Sequence, residues 1–248
     1  MNFDNKLTVV AGGNSGIGLE IARGFYESGS DVIILGRNNK KNLKAVKDIK
    51  ENNQQKALKS YVCDLSKEKK FSEVAKNIYK NYGRIDNFIN CVGLWKVSPI
   101  SKVTSLGIKE MHDNNFLPLV LGTKIISPFM SKGSIVNLSS FAYLMPMKEG
   151  SIYSSYKAAA VTFTKSAADE LSKRGIRVNI VTPGVIDTPM TRSHIVKNKR
   201  ELIRPISLNR IGLPSEIVGP VLFLCSNDSS YITGENLIIS GGKYITQK

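Results

Sequence analysis

Two side chains in this sequence could carry acid–base chemistry: Tyr153 and Lys157, in the segment Tyr153-Ser-Ser-Tyr156-Lys157. Four residues apart, they share one face if the segment is helical. A phenol with a pKa near ~10 exchanges protons poorly at neutral pH. A neighbouring ammonium stabilises the phenolate, lowers that pKa and lets the proton move in either direction. Ser140 stands thirteen residues earlier, just past an apolar run that reads as a strand. That places its hydroxyl at the carboxyl edge of a sheet, where ligands bind in open α/β structures. A tyrosine and a lysine at this spacing also occur as an incidental helical pair, so the case depends on their surroundings.

The first surrounding feature is the run Val9-Val10-Ala11-Gly12-Gly13-Asn14-Ser15-Gly16-Ile17-Gly18, which leaves a strand and enters a helix. Gly12 allows a tight turn, Gly16 lets backbone approach a pyrophosphate, and Gly18 removes a side chain where helix meets strand. The helix N-terminus offers free N–H groups and partial positive charge to phosphates. Asn14, Ser15 and Ile17 are therefore candidate contacts alongside the glycines. Three residues separate Gly12 from Gly16, so the spacing differs from the GxGxxG form. The second strand ends in Gly36-Arg37-Asn38, with no carboxylate until Asp48. A site for NAD needs an acid there for the ribose hydroxyls. Arg37 instead supplies a planar cationic fork suited to a 2′-phosphate, which points to NADP(H).

Elements that would position these residues alternate along the whole chain. Strands are predicted at 7–11, 31–35, 59–63, 87–90, 134–139, 177–181 and 237–239. Helices are predicted at 16–29, 40–52, 68–82, 105–129, 152–174 and 214–225. Pro118 and Pro128 imply a kink within the 105–129 helix and a stop at its end. Such alternation implies parallel strands joined by right-handed crossovers. The expected fold is thus α/β: a doubly wound Rossmann-type seven-stranded parallel sheet with helices on both faces. One domain covers 1–248, and the stretch 183–213, without clear strand or helix signal, reads as a lid over about 185–213.

Composition excludes several classes. The start at Met1–Lys6 is polar and runs straight into a strand, which fits no secretory signal. No apolar run reaches the ~20 residues of a membrane span. Cys63, Cys91 and Cys225 are widely spaced, as free thiols in a reducing cytoplasm would be. The formal charge of +15 admits an anionic partner or a lysine bias, and the run Lys40, Lys41, Lys44, Lys47 and Lys50 reads as a solvated helix face. No zinc-finger, RNP or basic-heptad pattern supports a nucleic-acid module. His112 and His194 lack a ligand partner at metal-binding spacing. Trp95, Tyr143, Met145, Met147, Met190 and Ile195 are split between pocket lining and plain packing.

Taken together, Gly12-xxx-Gly16-x-Gly18, Asp64-Leu65, Asn90-Cys-Val-Gly93, Asn115, Ser139-Ser140, Tyr153-xxx-Lys157 and Pro183-Gly184 resemble the classical short-chain dehydrogenase/reductase family. The tail Arg210-Ile-Gly-Leu-Pro, Tyr231-Ile-Thr-Gly-Glu and Ser240-Gly-Gly is similar too, so the likeness covers essentially the whole chain. It implies interconversion of a carbonyl and a secondary alcohol, with Tyr153 as proton donor and Lys157 on the nicotinamide ribose. Ser140 would hydrogen-bond the substrate oxygen, and Asn115 would hold a water feeding a relay through Lys157. Asp64 and Leu65 would contact adenine, and Asn90, in the stretch that ends at Gly93, would lie by a ribose. Ile186 and Thr188 would grip the carboxamide. A homotetramer with dihedral symmetry is implied as well.

This chain departs from the family at Ala11, where threonine is usual, at Cys91-Val92 in place of Asn-Ala, and at Ser240, where aspartate is frequent. Asn114 beside Asn115 leaves the relay residue open by one position. Motif spacing is similar to that of 3-oxoacyl-carrier-protein reductases, and Arg192, Lys197, Lys199, Arg200 and Arg204 make the lid basic, with Lys132 and Arg174 near the same rim by analogy. An acidic acyl carrier is therefore one expected partner. A small-molecule ketone is the other substrate class. A dinucleotide sensor or scaffold with little turnover is the alternative function, although such proteins usually lose the tyrosine or the lysine.

Overall fold

A computed structural model describes residues 1–50 and 56–243. Seven parallel strands form one sheet: β1 (Leu7–Ala11), β2 (Asp31–Gly36), β3 (Leu58–Val62), β4 (Asn87–Asn90), β5 (Gly133–Leu138), β6 (Ile176–Pro183) and β7 (Asn236–Ile239). Their order is β3-β2-β1-β4-β5-β6-β7. The chain thus winds outward from β1 to β3, crosses over, and winds the other way from β4. The crevice between β1 and β4 is the switch point where such sheets bind ligands.

The helices are α1 (Gly16–Glu27), α2 (Asn39–Lys50), α3 (Glu68–Tyr82), α4 (Ser105–Asn115), α5 (Leu117–Ile126), α6 (Ser151–Ser172), α7 (Arg192–Ile203) and α8 (Val218–Cys225). Alternation along the central strands sends Val9, Ala11, Ile33 and Leu35 to one core and Val10, Val32 and Ile34 to another. This two-sided burial is why the strands read as unbroken apolar runs. No helix among the described residues is long and apolar enough to cross a membrane.

The expected architecture is present, with several boundaries moved. Strand β3 starts at Leu58 and leaves Cys63 outside it, and β6 extends to Pro183. Helix α1 stops at Glu27, because Gly29 takes the left-handed region at φ 93°. Residues 51 and 52 of the expected second helix lie outside the described residues. The expected helix at 105–129 is two helices that meet at Phe116, with a 3-10 turn at Ser127–Phe129. Pro118 sits in the first turn of α5, where its missing N–H costs little. The largest correction is α7, a helix inside the stretch expected to be structureless. Its only buried residue is Ile195, so it lacks the apolar stripe that periodicity detects.

Candidate active site

The carboxyl ends of the strands open into a cleft of about 540 Å³. Of the expected cofactor residues, Gly12, Asn14, Ser15, Gly16, Ile17, Gly18, Arg37, Asn38, Asp64, Leu65, Gly93, Ile186 and Thr188 line it, as do Ser140, Tyr153 and Lys157. Asn90 and Asn115 do not. Asn90 is buried, donating from Nδ2 to the Pro118 carbonyl at 3.0 Å and accepting from the Val92 N–H at 3.2 Å. It braces the wall of the cleft from behind.

The glycine-rich turn has the shape its sequence requires. Gly12 and Gly16 have φ of 75° and 54°, and a Cβ on Gly18 would fall 2.3 Å from the Gly12 carbonyl oxygen. Ser15 caps α1 without a side-chain hydrogen bond, so the first-turn N–H groups are not taken up by its hydroxyl. At the end of β2, Asn14 Nδ2 donates to Asn42 Oδ1 at 2.7 Å. This bond passes over Gly36, where a Cβ would come within 2.4 Å of both side chains. An acid at position 36 would have to displace it. Arg37 reaches over to Asn114 Oδ1 at 3.0 Å. Lys41, assigned from sequence to a solvated face, lines the cleft as well. It stands in the first turn of α2, its N–H donating to Asn38 Oδ1 at 3.0 Å. Its signal was the turn position after β2, outweighed by the lysines that follow.

Helix α6 and the segment after β5 bring the acid–base groups together. Tyr153 and Lys157 are both buried on α6, and Ser140 lies close enough to the Tyr153 phenol to favour its ionised form. Ser139 donates to the Lys157 carbonyl at 2.8 Å and pins α6 to the end of β5. Tyr156 points elsewhere, against His112 and Phe116. Asn115 pairs with the Leu94 backbone in both directions, accepting its N–H at 3.2 Å and donating to its carbonyl at 3.0 Å. A Cβ on Gly93 would lie 3.4 Å from Asn115 Oδ1 and 3.5 Å from Lys157 Nζ. Asn115 Oδ1 and Lys157 Nζ thus both border Gly93, whereas Asn114 is the partner of Arg37.

Similarity to known proteins can be set beside this geometry. The profile described as "Enoyl-(Acyl carrier protein) reductase" matches residues 11–243. The 3-oxoacyl-(acyl-carrier-protein) reductase FabG of Chlamydia muridarum is 34% identical over 241 residues, covering 96% of this chain and 97% of the relative. The enzyme of the same name from Thermotoga maritima is 33% identical over 248 residues, covering 99% and 100%. A solved short-chain type dehydrogenase/reductase from Mycobacterium ulcerans superposes with a TM-score of 0.95 at 26% identity, over 99% of this chain and 92% of that one.

This chain is a short-chain dehydrogenase/reductase. Its family activity is nicotinamide-dependent oxidoreduction, and the cleft fits that cofactor: the glycine cradle would be filled by any Cβ, and a helix N-terminus stands beside it. Among the described residues no group of His, Cys, Asp or Glu could hold a metal ion.

The electrostatics of this dehydrogenase/reductase are dominated by burial. Burial pushes the Tyr153 phenol above its ordinary value, and Ser140 beside it pulls it part of the way back. The Lys157 ammonium lies 5.6 Å from the ring centroid, where a positive charge favours the phenolate, and it donates to the Leu138 carbonyl at 3.4 Å. Burial pushes Lys157 itself from 10.5 down to about 8. Beside it, burial pushes the Cys91 thiol up to about 12, which leaves it an inert wall of the cleft.

A testable consequence concerns stability. Between pH about 8 and about 10.5 the unfolded chain holds the Lys157 proton and the folded chain has released it, so stability rises with pH across that window. A displacement of this size is worth about 3 kcal/mol. Lys157→Met should therefore melt higher than wild type at pH 7, and the two should converge above pH about 10.5. Thermal melts across this range check it, and a gap that does not change with pH would contradict it.

Proposed function

We propose that this protein is an NADP(H)-dependent reductase of 3-oxoacyl thioesters. The reading rests most on one observation: a phenol, a hydroxyl and an ammonium converge on a cleft whose far end carries Arg37 and Lys41, with Gly36 at the end of β2 where an acid would hold the ribose. When bound, the cofactor supplies the hydride that reaches the carbonyl carbon. The protein's own part is to stabilise and protonate the oxygen. Ser140 stands beside Tyr153, so one substrate oxygen can meet both hydroxyls, Ser140 holding the developing negative charge. Because burial keeps Tyr153 protonated at neutral pH, it is poised to donate, which suits reduction.

Lys157 offers N–H groups to the nicotinamide ribose and takes part in resupplying the tyrosine's proton. Asn115 supports that resupply through its main chain. Its side-chain amide is occupied by Leu94 and Met111. Its carbonyl stands at the end of α4, where Pro118 has no N–H and Leu119 donates to Phe116 instead. On this reading that carbonyl accepts the water that feeds Lys157. Asp64 and Leu65 would bound the adenine, Gly93 the ribose, and Ile186 with Thr188 the carboxamide. Thr191 holds that last pair in place, donating to the Ile186 carbonyl and sharing a hydrogen bond with the Thr188 hydroxyl at 2.9 Å.

Two features favour the thioester. The relatives from Chlamydia muridarum and Thermotoga maritima bear the name of reductases of carrier-bound 3-oxoacyl groups. Helix α7 also presents Lys197, Lys199 and Arg200 to solvent, a basic surface suited to an acidic carrier. The same reading takes 1–248 as one domain with 185–213 as its lid, acting in the cytoplasm as a homotetramer.

Cofactor choice is its direct test. With a 3-oxoacyl thioester as substrate, NADPH should be preferred to NADH. Arg37→Ala should remove most of that preference, since a charge-assisted pair is worth about 1.5–3 kcal/mol, roughly one to two decades in affinity. Lys41→Ala should take away part of the remainder. Equal use of both cofactors by the wild type would refute the assignment.

A further inference from the structure

Among the buried residues of α2, which are Asn42, Ala45 and Ile49, only Asn42 is polar. A buried amide must find partners for its hydrogen-bonding groups, because any left over is costly. Asn42 Nδ2 donates to the Gly36 carbonyl at 2.9 Å and to the Tyr61 carbonyl at 3.2 Å, tying β2 to β3. Backbone carbonyls only accept, so the nitrogen of Asn42 must face them and its oxygen must point the other way.

On that other side stands Asn14, in the glycine-rich turn, whose Nδ2 donates to Asn42 Oδ1 at 2.7 Å. One amide thus dictates the orientation of the next, since the Asn42 oxygen can be met only by the Asn14 nitrogen. Asn14 Oδ1 is left as an acceptor that no hydrogen bond from a described residue engages. Asn14 lines the cleft, whereas Asn42 does not. The pair also fills the space above Gly36, where a Cβ would come within 2.4 Å of both side chains.

We infer that Asn42 is a positioning residue for the cofactor: it holds the Asn14 amide with its oxygen free to accept a hydroxyl of the adenosine ribose. The inference rests on the NADP(H) reading above. A carboxylate at the end of β2 would accept the ribose 2′-hydroxyl, but the amide pair occupies the space it needs. The pair offers one neutral acceptor in its place. That suits a ribose whose 2′-oxygen carries a phosphate and whose 3′-hydroxyl remains, and it sets no negative charge against the phosphate. Arg37 takes the phosphate, and Asn14 takes the 3′-hydroxyl.

The experiment measures the dissociation constants of NADPH and 3′-deoxy-NADPH by calorimetric titration of wild type, Asn42→Leu, Asn14→Ala and the double variant. Wild type should bind NADPH about twofold to tenfold more tightly than the deoxy cofactor, the value of one neutral hydrogen bond. Asn42→Leu should erase that difference although it alters no residue of the cleft lining, and Asn14→Ala should erase it too. The double variant should bind NADPH as Asn14→Ala does, because Asn42 acts through that amide. Leucine has the branched outline of asparagine, and the Gly36 carbonyl still accepts the Cys63 N–H at 3.1 Å. Asn42→Ala gives the same comparison should the leucine not fit. An Asn42 variant that still distinguishes the two cofactors, or a further loss in the double variant, overturns the inference. A wild type that binds NADH as tightly as NADPH refutes the proposed cofactor instead, and the same variants titrated with NADH and 3′-deoxy-NADH still decide what Asn42 does.

Discussion

Tyr153→Phe should lower turnover by roughly 10²–10⁴-fold, the scale of a positioned general acid, and leave NADPH affinity close to that of wild type. The lost hydroxyl acts on the transition state, so the damage should appear in kcat and not in cofactor binding. The control is built into the same helix. Tyr156, three residues on, faces His112 and Phe116 and takes no part in the cleft. Tyr156→Phe keeps that ring packing and should remain active. Steady-state rates with a cofactor titration check both variants. An inactive Tyr156→Phe beside an active Tyr153→Phe would overturn the assignment of the acid.

Ser140→Ala should lower kcat by roughly 10²–10³-fold, as removal of one donor to a developing oxyanion does. Two observations support a local effect. Ser140 caps the short turn at Phe141–Tyr143, where its oxygen accepts the Ala142 N–H at a long 3.3 Å. The turn has a second anchor, because Asn236 Nδ2 donates to the Tyr143 hydroxyl and Asn236 Oδ1 accepts from Thr182 at 2.7 Å. The melting temperature and NADPH affinity should therefore hardly move. A loss of less than about threefold in kcat would remove Ser140 from the reaction.

The parts of this site that were legible in the sequence are those fixed by local spacing. Gly12 and Gly16 take positive φ and Gly18 closes on the Gly12 carbonyl, all within one turn, and Tyr153 and Lys157 share a face by helical period alone. Strand alternation was equally readable, since both faces of the sheet are buried. What escaped depends on contacts between distant segments. Asn115 is fixed by Leu94 and Gly93, on another loop, so sequence left it open against Asn114. Helix α7 is basic and almost unburied, and its one aromatic anchor, Trp95, lies in another segment. The burial of Tyr153 was hidden for a related reason: sequence shows that Lys157 is near, but only the fold shows how deeply the phenol lies. Lys41 was lost among its neighbours, because only the first turn of α2 reaches the cleft.

The most direct test of the account is NADPH consumption by the purified wild type, offered an acetoacetyl group on an acyl carrier, the same group on a short pantetheine-like thiol, and a simple ketone. The account predicts oxidation of NADPH with both thioesters, formation of the 3-hydroxyacyl product, and a higher kcat/KM for the carrier-borne substrate that falls as salt screens the basic lid. No NADPH oxidation with either thioester would contradict it.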